Sequence, residues 1–245
     1  MTALRAEPEI EIGGRDALPY LVEHWYLGPP ARRYMMVRRF REVLERADLA
    51  PGQRVLDIGC GWAYGTLWAR AHGCKVAGVD LGTDQLRWAR RALEDGASLG
   101  LANANAKALP FRDGTFDRAF SVEMMEHVFR PDRQAVLSEI ARVLKPGGRL
   151  ALSTPNSASP IEAAKRLAVR WPALRKRLPS SCFPEAADEA AAYHPYRYHH
   201  PLPLAELRER LTWRRPHHRS CCRRRWPRRG SPSGCRSPAA SAPRR

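Results

Sequence analysis

Apolar residues recur at helical spacing between residues 31 and 48, which predicts an amphipathic helix in this segment. The positions that share one side of that helix are Tyr34, Val37, Phe40, Val43 and Leu44. Pro51-Gly52 then interrupts the pattern, because neither residue favours a continuing helix. The apolar run 55–58 follows and predicts a short buried strand that leads into a glycine-rich turn.

Short apolar runs and amphipathic stretches continue to alternate up to residue 153. Further strands are predicted at 75–80, 99–102, 116–121 and 149–153, and further helices at 64–72, after a capping Thr83, and from Pro131-Asp132 to Lys145-Pro146-Gly147-Gly148. Strands that alternate with helices predict an α/β fold, in which a doubly wound, mostly parallel sheet carries helices on both faces. Ligands of such sheets bind beyond the carboxyl ends of the strands.

The turn after the first strand combines glycines with a carboxylate. It reads Asp57-Ile58-Gly59-Cys60-Gly61, and glycine lets a backbone turn sharply and approach a ligand closely. The helix that follows offers free backbone N–H groups. Asp80 ends the second strand 21 residues after Gly59, where a carboxylate can accept hydrogen bonds from ribose hydroxyls. The pattern indicates a nucleoside-containing cofactor without specifying it.

Four motifs in order narrow this prediction. They are VLDIGCG at 55–61, VAGVD at 76–80, ALPFRDGTFDRAFSVEMMEHV at 108–128 and EIARVLKPGGRLALSTPN at 139–156. Together they resemble the class I S-adenosylmethionine-dependent methyltransferases, especially the small-molecule group that includes enzymes of ubiquinone and menaquinone biosynthesis. The resemblance covers about 50–156 strongly and extends weakly to residue 211. It implies a Rossmann-like fold, the cofactor S-adenosylmethionine, and methyl transfer to an O, C or N atom of a small molecule.

The resemblance also assigns the cofactor contacts residue by residue. Gly59 and Gly61 would line the methionine part of S-adenosylmethionine, and Asp57 would hold its amino group directly or through water. Asp80 would bind the ribose diol, and Leu81 would pack on the adenine.

The remaining assignments include two departures from the family pattern. Asn105, next to Ala106 in the predicted adenine-binding segment, stands where the family commonly has Asp, although an amide oxygen can also accept a hydrogen bond. Ala63 stands where the family usually has Gly, and its methyl group would either crowd the cofactor or require a negative φ. Cys60 is expected to be a small apolar spacer in the cofactor loop, and Ser121 to meet the cofactor after the fourth strand.

Methyl transfer needs little acid–base help, because the sulfonium is already a good leaving group and alignment with exclusion of water matters most. Glu123 and His127 follow the fourth strand, at the rim where the acceptor is expected. As candidate catalytic residues, either could assist deprotonation of a hydroxyl or an activated carbon. The alternative is that both belong to a helix that only supports the site.

The net charge of +17 is concentrated near the C-terminus. Residues 213–245 hold 11 of the 42 Lys and Arg residues and no Asp or Glu, so residues 1–212 carry a net charge of only +6. With no Leu, Ile, Val, Phe or Met, this Arg/Pro/Ser-rich tail is predicted to be disordered and unable to form the C-terminal hairpin of the resembled family. A frameshift near Thr212 is one hypothesis for its composition, and a nucleic-acid-binding tail is the other.

The segments outside the motifs are open to more than one interpretation. Residues 1–30 are predicted to form an N-terminal arm, which either covers the site as a lid or packs on the sheet. Residues 31–212 form the predicted methyltransferase domain, with an acceptor-side insertion at 155–200. The basic, amphipathic segment 165–177 suits either peripheral contact with an anionic membrane surface or a solvated insertion. Three histidines at 193–200 match no recognised zinc spacing, so no metal is expected.

The expected setting and partners follow from composition and motifs. The chain has neither an 18-residue apolar run nor an apolar leader, and its cysteine usage suits a reducing cytoplasm. A small-molecule acceptor is the expected partner. Nucleic acid is not, because 121–124 lacks the Asn/Asp-Pro-Pro-aromatic signature of amino-adenine methyltransferases. The alternative of another class is a catalytically impaired, cofactor-binding remnant.

Overall fold

The computed structural model of the protein describes residues 3–10, 12, 18–19, 21–93, 100–160, 162–163 and 201–212. Its strands are β1 (Arg54–Ile58), β2 (Lys75–Asp80), β3 (Gly100–Asn103), β4 (Phe116–Val122) and β5 (Leu144–Ser153). They form one parallel sheet of order β3-β2-β1-β4-β5. The order reverses between β1 and β4, and ligands of doubly wound sheets bind in the crevice at such a reversal.

The helices follow the predicted pattern closely. They are α1 (Pro30–Ala47), α2 (Tyr64–Ala71), α3 (Thr83–Ala92), α4 (Arg133–Val143) and α5 (Leu204–Thr212). A π-helical segment, Val22–Tyr26, precedes α1, and two short 3-10 turns, Met125–His127 and Arg130–Asp132, connect β4 to α4.

Apolar side chains cover both faces of the sheet. Along β1, Val55 belongs to one buried cluster, with Trp68 of α2 and Leu86 of α3. Its neighbour Leu56 belongs to a second cluster, with Ile140 of α4. Because neighbouring residues of a strand point to opposite faces, α2 and α3 cover one face and α4 covers the other. The predicted Rossmann-like architecture is therefore confirmed.

Two local predictions were wrong. The segment Lys145-Pro146-Gly147-Gly148 was expected to lie between helix and strand, but it lies inside β5, which already pairs with β4 at Leu144. A register shift between Phe116 and Arg118 of β4 accommodates the extra residues. The expected side-chain cap on α3 is also missing, because Gly82 holds the N-cap position and no side chain caps it.

The described part of the N-terminal arm packs against α2. Trp68 Nε1 donates a hydrogen bond to the carbonyl oxygen of Arg5 at 3.0 Å, and the Arg5 guanidinium donates to the carbonyl oxygen of Ala71 at 3.0 Å. The Tyr64 hydroxyl donates to Glu7 Oε1 at 2.8 Å. These contacts fix the arm beside the helix that follows the glycine turn.

Several predictions concern residues that are not described. They are the strand residue Leu99, the basic segment 165–177, most of the insertion 155–200, the histidines of 193–200 and the tail 213–245. In the part of the chain that is described, no helix combines the length and the apolar character needed to cross a membrane.

Candidate cofactor and acceptor site

The glycine turn after β1 requires glycine for both conformation and space. Gly59 has φ +75° and Gly61 has φ +52°, in the left-handed region that side chains disfavour. A Cβ atom on Gly59 would lie 2.5 Å from Met124 Cγ, and one on Gly61 would lie 2.9 Å from Gln85 Oε1. The turn therefore brings bare backbone against its neighbours at the carboxyl end of β1.

Asp80 joins this turn to the start of α3. Its Oδ2 accepts a hydrogen bond from the Gly61 N–H at 2.8 Å, and its Oδ1 accepts one from the Gly82 N–H at 2.7 Å. Each carboxylate oxygen has a second lone pair, so Asp80 can still accept hydrogen bonds from a ligand at the rim. The turn before α3 is ordered by this strand-end carboxylate, which explains why no side-chain cap is needed there.

Asn103, at the end of β3, was missed by the sequence analysis. Its Nδ2 donates to the carbonyl oxygens of Asp80 and Leu81, at 3.1 and 3.0 Å. This amide fixes the backbone on which both predicted cofactor residues stand. In the sequence, Asn103 could have been noticed as an amide side chain at the end of the strand that follows Asp80. Only the sheet order shows that the two strands are neighbours.

Asp57 is a buried carboxylate beneath the turn. Its side chain is 2% exposed, and its Oδ2 accepts a hydrogen bond from Thr66 Oγ1 at 2.8 Å. Burial, reinforced by the charge of Asp80 and opposed by the Thr66 hydrogen bond, raises the pKa of Asp57 to about 7. Asp57 therefore changes charge near neutral pH, and a cationic group placed beside it would favour the ionised form.

The adenine-side residues differ in how open they are. The Leu81 side chain is 37% exposed at the rim, where it is accessible to a planar ligand. Asn105 is exposed, and its Oδ1 accepts a hydrogen bond from the Lys107 N–H at 2.9 Å. The same oxygen was predicted to accept a hydrogen bond from the adenine amino group, so it already accepts one bond within this turn. Ala106 packs against the apolar cluster under this edge of the sheet.

Two predicted cofactor residues are buried in the floor of the site. Ser121 Oγ donates to the carbonyl oxygen of Ile58 at 2.8 Å and so ties the end of β4 to the end of β1. Cys60 is buried, and desolvation raises the pKa of its thiol well above the usual range, so the thiol is neutral. Direct contact of either residue with a cofactor remains a prediction.

On the acceptor side, Glu123 is held by side chains from two other elements. Glu123 follows β4 with φ +53°. Its Oε1 accepts a hydrogen bond from Ser153 Oγ at 2.9 Å, and its Oε2 lies 3.6 Å from a terminal nitrogen of Arg39 on α1. The Glu123 side chain is 25% exposed, so its carboxylate can meet a ligand at the rim.

Glu126 is a second carboxylate near this rim, and the sequence analysis did not single it out. Its side chain is 1% exposed, and its Oε2 accepts a hydrogen bond from Thr154 Oγ1 at 3.0 Å. Burial, with the negative charge of Glu123, raises the pKa of Glu126 above its ordinary value.

His127 closes the 3-10 turn of residues 125–127. Its backbone N–H donates a hydrogen bond to the Met124 carbonyl oxygen at 2.9 Å. The run forms this single 3-10 turn, and the supporting role that the alternative interpretation gave it stays a prediction.

Comparison with known families decides the class of the domain. The family described as a methyltransferase domain matches residues 56–152. The match begins in β1 and ends in β5, so it contains the glycine turn, Asp80 and Glu123. The resemblance drawn from the four motifs is therefore confirmed.

Curated relatives are similar over the same region. The chain is 43% identical over 122 residues to the methyltransferase GfsG of Streptomyces halstedii, covering 47% of this chain and 42% of that protein. It is 39% identical over 123 residues to the ubiquinone biosynthesis O-methyltransferase of Vibrio cholerae, covering 48% of each. The match thus spans about half the length of these relatives.

A solved structure supports the fold of the methyltransferase domain. The YcgJ protein of Bacillus subtilis superposes with a TM-score of 0.52 at 20% identity, covering 71% of this chain and 66% of that one. At this identity the likeness concerns the fold alone, and it agrees with the parallel sheet described above.

The N-terminal segment lies against the glycine turn of the methyltransferase domain. Leu21 Cδ1 would be 3.6 Å from a Cβ atom on Gly61. The Tyr26 ring packs on Trp62, with centroids 5.2 Å apart, and on Tyr64, with centroids 5.8 Å apart. The segment therefore packs on the domain beside the predicted cofactor loop, and a role as a lid stays a prediction.

Among the residues that the structure describes, no group of three or more His, Cys, Asp and Glu side chains is arranged to hold a metal ion. The polar groups of this site are carboxylates tied to backbone N–H groups and hydroxyls, which suit an organic ligand.

Ala63 adopts the left-handed conformation of a glycine, with φ +72°, at the N-cap of α2. The alternative that alanine would impose a negative φ was therefore wrong.

Because a left-handed alanine costs about 1 kcal/mol, Ala63→Gly is expected to raise the free energy of unfolding by about 1 kcal/mol. Denaturant titration would measure this gain. Ala69→Gly inside α2 is the matched control and should lose about 1 kcal/mol or more. A loss of stability in Ala63→Gly would show that the methyl group packs favourably despite the strain.

Proposed function

We propose that this protein transfers the methyl group of S-adenosylmethionine to an oxygen atom of a small-molecule acceptor. One observation carries the proposal. The glycine turn held by Asp80 and the partly exposed carboxylate of Glu123 lie at the same edge of the sheet, where β1, β2 and β4 end. A hydroxyl acceptor is favoured because a carboxylate at that rim can take its proton, and because the Vibrio cholerae relative is named as an O-methyltransferase.

The residues at the strand ends fit S-adenosylmethionine by their chemistry. The glycine turn presents backbone without side chains, and the neighbours that pack on it are the flexible side chains of Met124 at Gly59 and Gln85 at Gly61. Asp80 has lone pairs for a ribose diol, and the exposed Leu81 offers an apolar surface for adenine. When bound, S-adenosylmethionine supplies an electrophilic methyl group on a good leaving group.

Asp57 would hold the amino group of the cofactor. Its pKa of about 7 leaves a large fraction ionised at neutral pH, and a nearby ammonium group would increase that fraction. The carboxylate lies in the floor, with Thr66 fixing one oxygen. A direct contact or one bridging water would satisfy both groups.

Met124 and the N-terminal segment would exclude water from the reacting groups. Met124 borders the surface of Gly59, and Leu21 borders Gly61. A methionine side chain has three rotatable bonds, so it can adjust to a ligand while keeping the site apolar. Glu123 would accept the proton of the acceptor hydroxyl as the oxygen attacks the methyl group, with Ser153 and Arg39 holding its carboxylate.

The proposal is tested by product analysis. The purified full chain would be incubated with methyl-labelled S-adenosylmethionine and one class of acceptor at a time. The acceptor classes are hydroxybenzoates, quinols and primary amines. We expect label in methyl ethers of hydroxylated acceptors. Label in amine products alone would contradict oxygen as the acceptor atom. A folded chain that binds the cofactor and labels none of these acceptors would instead support the remnant.

Glu123→Gln is expected to lower kcat about tenfold with the best acceptor and to leave the Kd for S-adenosylmethionine unchanged. General bases typically contribute about 10²–10⁴-fold, and the effect is smaller here because the sulfonium leaves readily. Steady-state kinetics across acceptor concentrations would measure it. His127→Gln is the companion variant. Full turnover in the double variant would remove both residues from the chemistry.

A further inference from the structure

Arg39 presents a cation beside Glu123, on the face of an aromatic ring. Its guanidinium carbon lies 5.7 Å from the centroid of the Trp25 ring. Its closest approach to Glu123 is 3.6 Å, longer than a good hydrogen bond. The Arg39 side chain is 40% exposed and Trp25 is half-buried, so both are partly open to solvent.

The donors of Arg39 are largely uncommitted within the described part of the chain. A guanidinium carries five N–H donors in a planar fork. Among the described residues, the Glu123 contact is its single ion pair, and at 3.6 Å it is longer than a good hydrogen bond. Partly exposed pairs of this kind contribute about 0–1 kcal/mol, so a ligand carboxylate can compete for the fork. Bidentate binding of a carboxylate by arginine is the stronger interaction.

The charge around this subsite permits an anion. Burial keeps the pKa of Glu126 raised, which favours its neutral form near neutral pH. Glu123 then faces Arg39 as one negative group against one positive group, so the pair carries no net charge. The Trp25 ring lies against the same guanidinium, so the aromatic ring of a ligand held by the Arg39 fork would lie beside Trp25.

From this arrangement we infer that Trp25, Arg39 and Glu123 form an acceptor subsite for a planar, aromatic hydroxy acid whose carboxylate is adjacent to its reacting hydroxyl. The inference rests on the proposed function. The fork of Arg39 binds the carboxylate, Glu123 accepts the hydroxyl proton, and Trp25 packs beside the aromatic ring. Since the donor of Arg39 and the acceptor of Glu123 are 3.6 Å apart, the two substrate groups must be neighbours on the ring.

Isomeric probes test the required spacing. The full chain, saturated with S-adenosylhomocysteine, would be titrated with 2-hydroxybenzoate, 4-hydroxybenzoate and methyl 2-hydroxybenzoate. We expect 2-hydroxybenzoate to bind at least about tenfold more tightly than the other two compounds. In 4-hydroxybenzoate the carboxylate is not adjacent to the hydroxyl, and methyl 2-hydroxybenzoate lacks the negative charge. Equal affinity for the two acids, or for the acid and its ester, would overturn the inference.

Variants test the residues. Arg39→Lys keeps the charge and loses the fork, and Trp25→Leu loses the ring. Each is expected to weaken 2-hydroxybenzoate binding about tenfold without changing the Kd for S-adenosylhomocysteine. Arg38→Lys is the matched control, because Arg38 pairs with Glu42 on the surface of α1 and should leave both affinities unchanged. Unchanged 2-hydroxybenzoate affinity in Arg39→Lys would contradict the role of the fork.

The isomer titration would be repeated without S-adenosylhomocysteine. A folded chain that discriminates the isomers and fails to bind the cofactor would contradict the proposed function and leave the subsite standing. A chain that binds the cofactor and does not discriminate the isomers would contradict the subsite alone.

Discussion

Replacing Asp80 with alanine is expected to weaken S-adenosylmethionine binding by at least about 100-fold. Asp80 accepts hydrogen bonds from the Gly61 and Gly82 N–H groups, so its loss releases both the glycine turn and the start of α3. A hydrogen bond to a charged group contributes about 1.5–3 kcal/mol. Losing about 3 kcal/mol in preorganisation and ribose contact corresponds to about 100-fold in Kd.

The Kd for S-adenosylmethionine in the Asp80 variants is the quantity to measure, by calorimetric titration of the full chain. Asp80→Asn retains one acceptor oxygen and should lie between the wild type and Asp80→Ala. Asp84→Ala is the matched control, because Asp84 is a highly exposed carboxylate on α3 that pairs with Arg87. Wild-type affinity in Asp80→Ala would place the cofactor elsewhere. A circular dichroism melt of each variant would separate lost binding from lost folding.

Asp57→Asn is expected to stabilise the protein at pH 8 by about 2 kcal/mol or more, and by much less at pH 5. The pKa of Asp57 is raised from 3.8 to about 7 in the folded chain, so the folded state holds this proton more tightly than the unfolded state. Wild-type stability therefore falls as pH rises from about 4 to 7, by up to about 4 kcal/mol in total. Asparagine is neutral throughout and loses only about 1–2 kcal/mol to its extra amide hydrogens.

The free energy of unfolding would be measured by urea titration at both pH values. Asp84→Asn, on an exposed carboxylate, should show no comparable pH dependence. The difference in the free energy of unfolding between Asp57→Asn and the wild type would then be compared at the two pH values. An equal difference at pH 5 and pH 8 would show that ionising Asp57 in the folded state costs no stability. That result would contradict the burial argument.

The same substitution is expected to weaken S-adenosylmethionine binding, because the amide cannot neutralise the amino group of the cofactor. In the wild type, affinity should rise between pH 6 and pH 8 as Asp57 ionises through its pKa of about 7. A site that gains function from a carboxylate costing folding stability is a common compromise in enzymes.

The part of the site that could be predicted from the sequence is the part set by local pattern. The glycines of the first turn and the strand-end position of Asp80 follow from short apolar runs and their spacing. By contrast, Asn103 and Glu126 act through neighbours that only the sheet order provides. Asn103 reaches Asp80 because β3 adjoins β2, and Glu126 reaches Thr154 because β5 adjoins β4.

The local errors have the same physical origin. Gly147 looked like a loop residue, but it lies within β5, between the pairing of Leu144 with Phe116 and the pairing of Arg149 with Arg118, where a register shift accommodates it. Thr83 has the chemistry of a cap, yet Asp80 already orders the preceding turn through the Gly82 N–H. Arg39 could not be placed at all, because the chain separates it from Glu123 and only α1 packing brings the two together.

The most direct test of the central claim is a titration of the wild-type full chain with S-adenosylmethionine at pH 8 and pH 6. We predict one binding site with micromolar affinity that is weaker at pH 6. A folded chain that shows no binding at millimolar S-adenosylmethionine at either pH would contradict a functional cofactor site at the ends of β1 and β2. The methyltransferase domain would then be a remnant and not an enzyme.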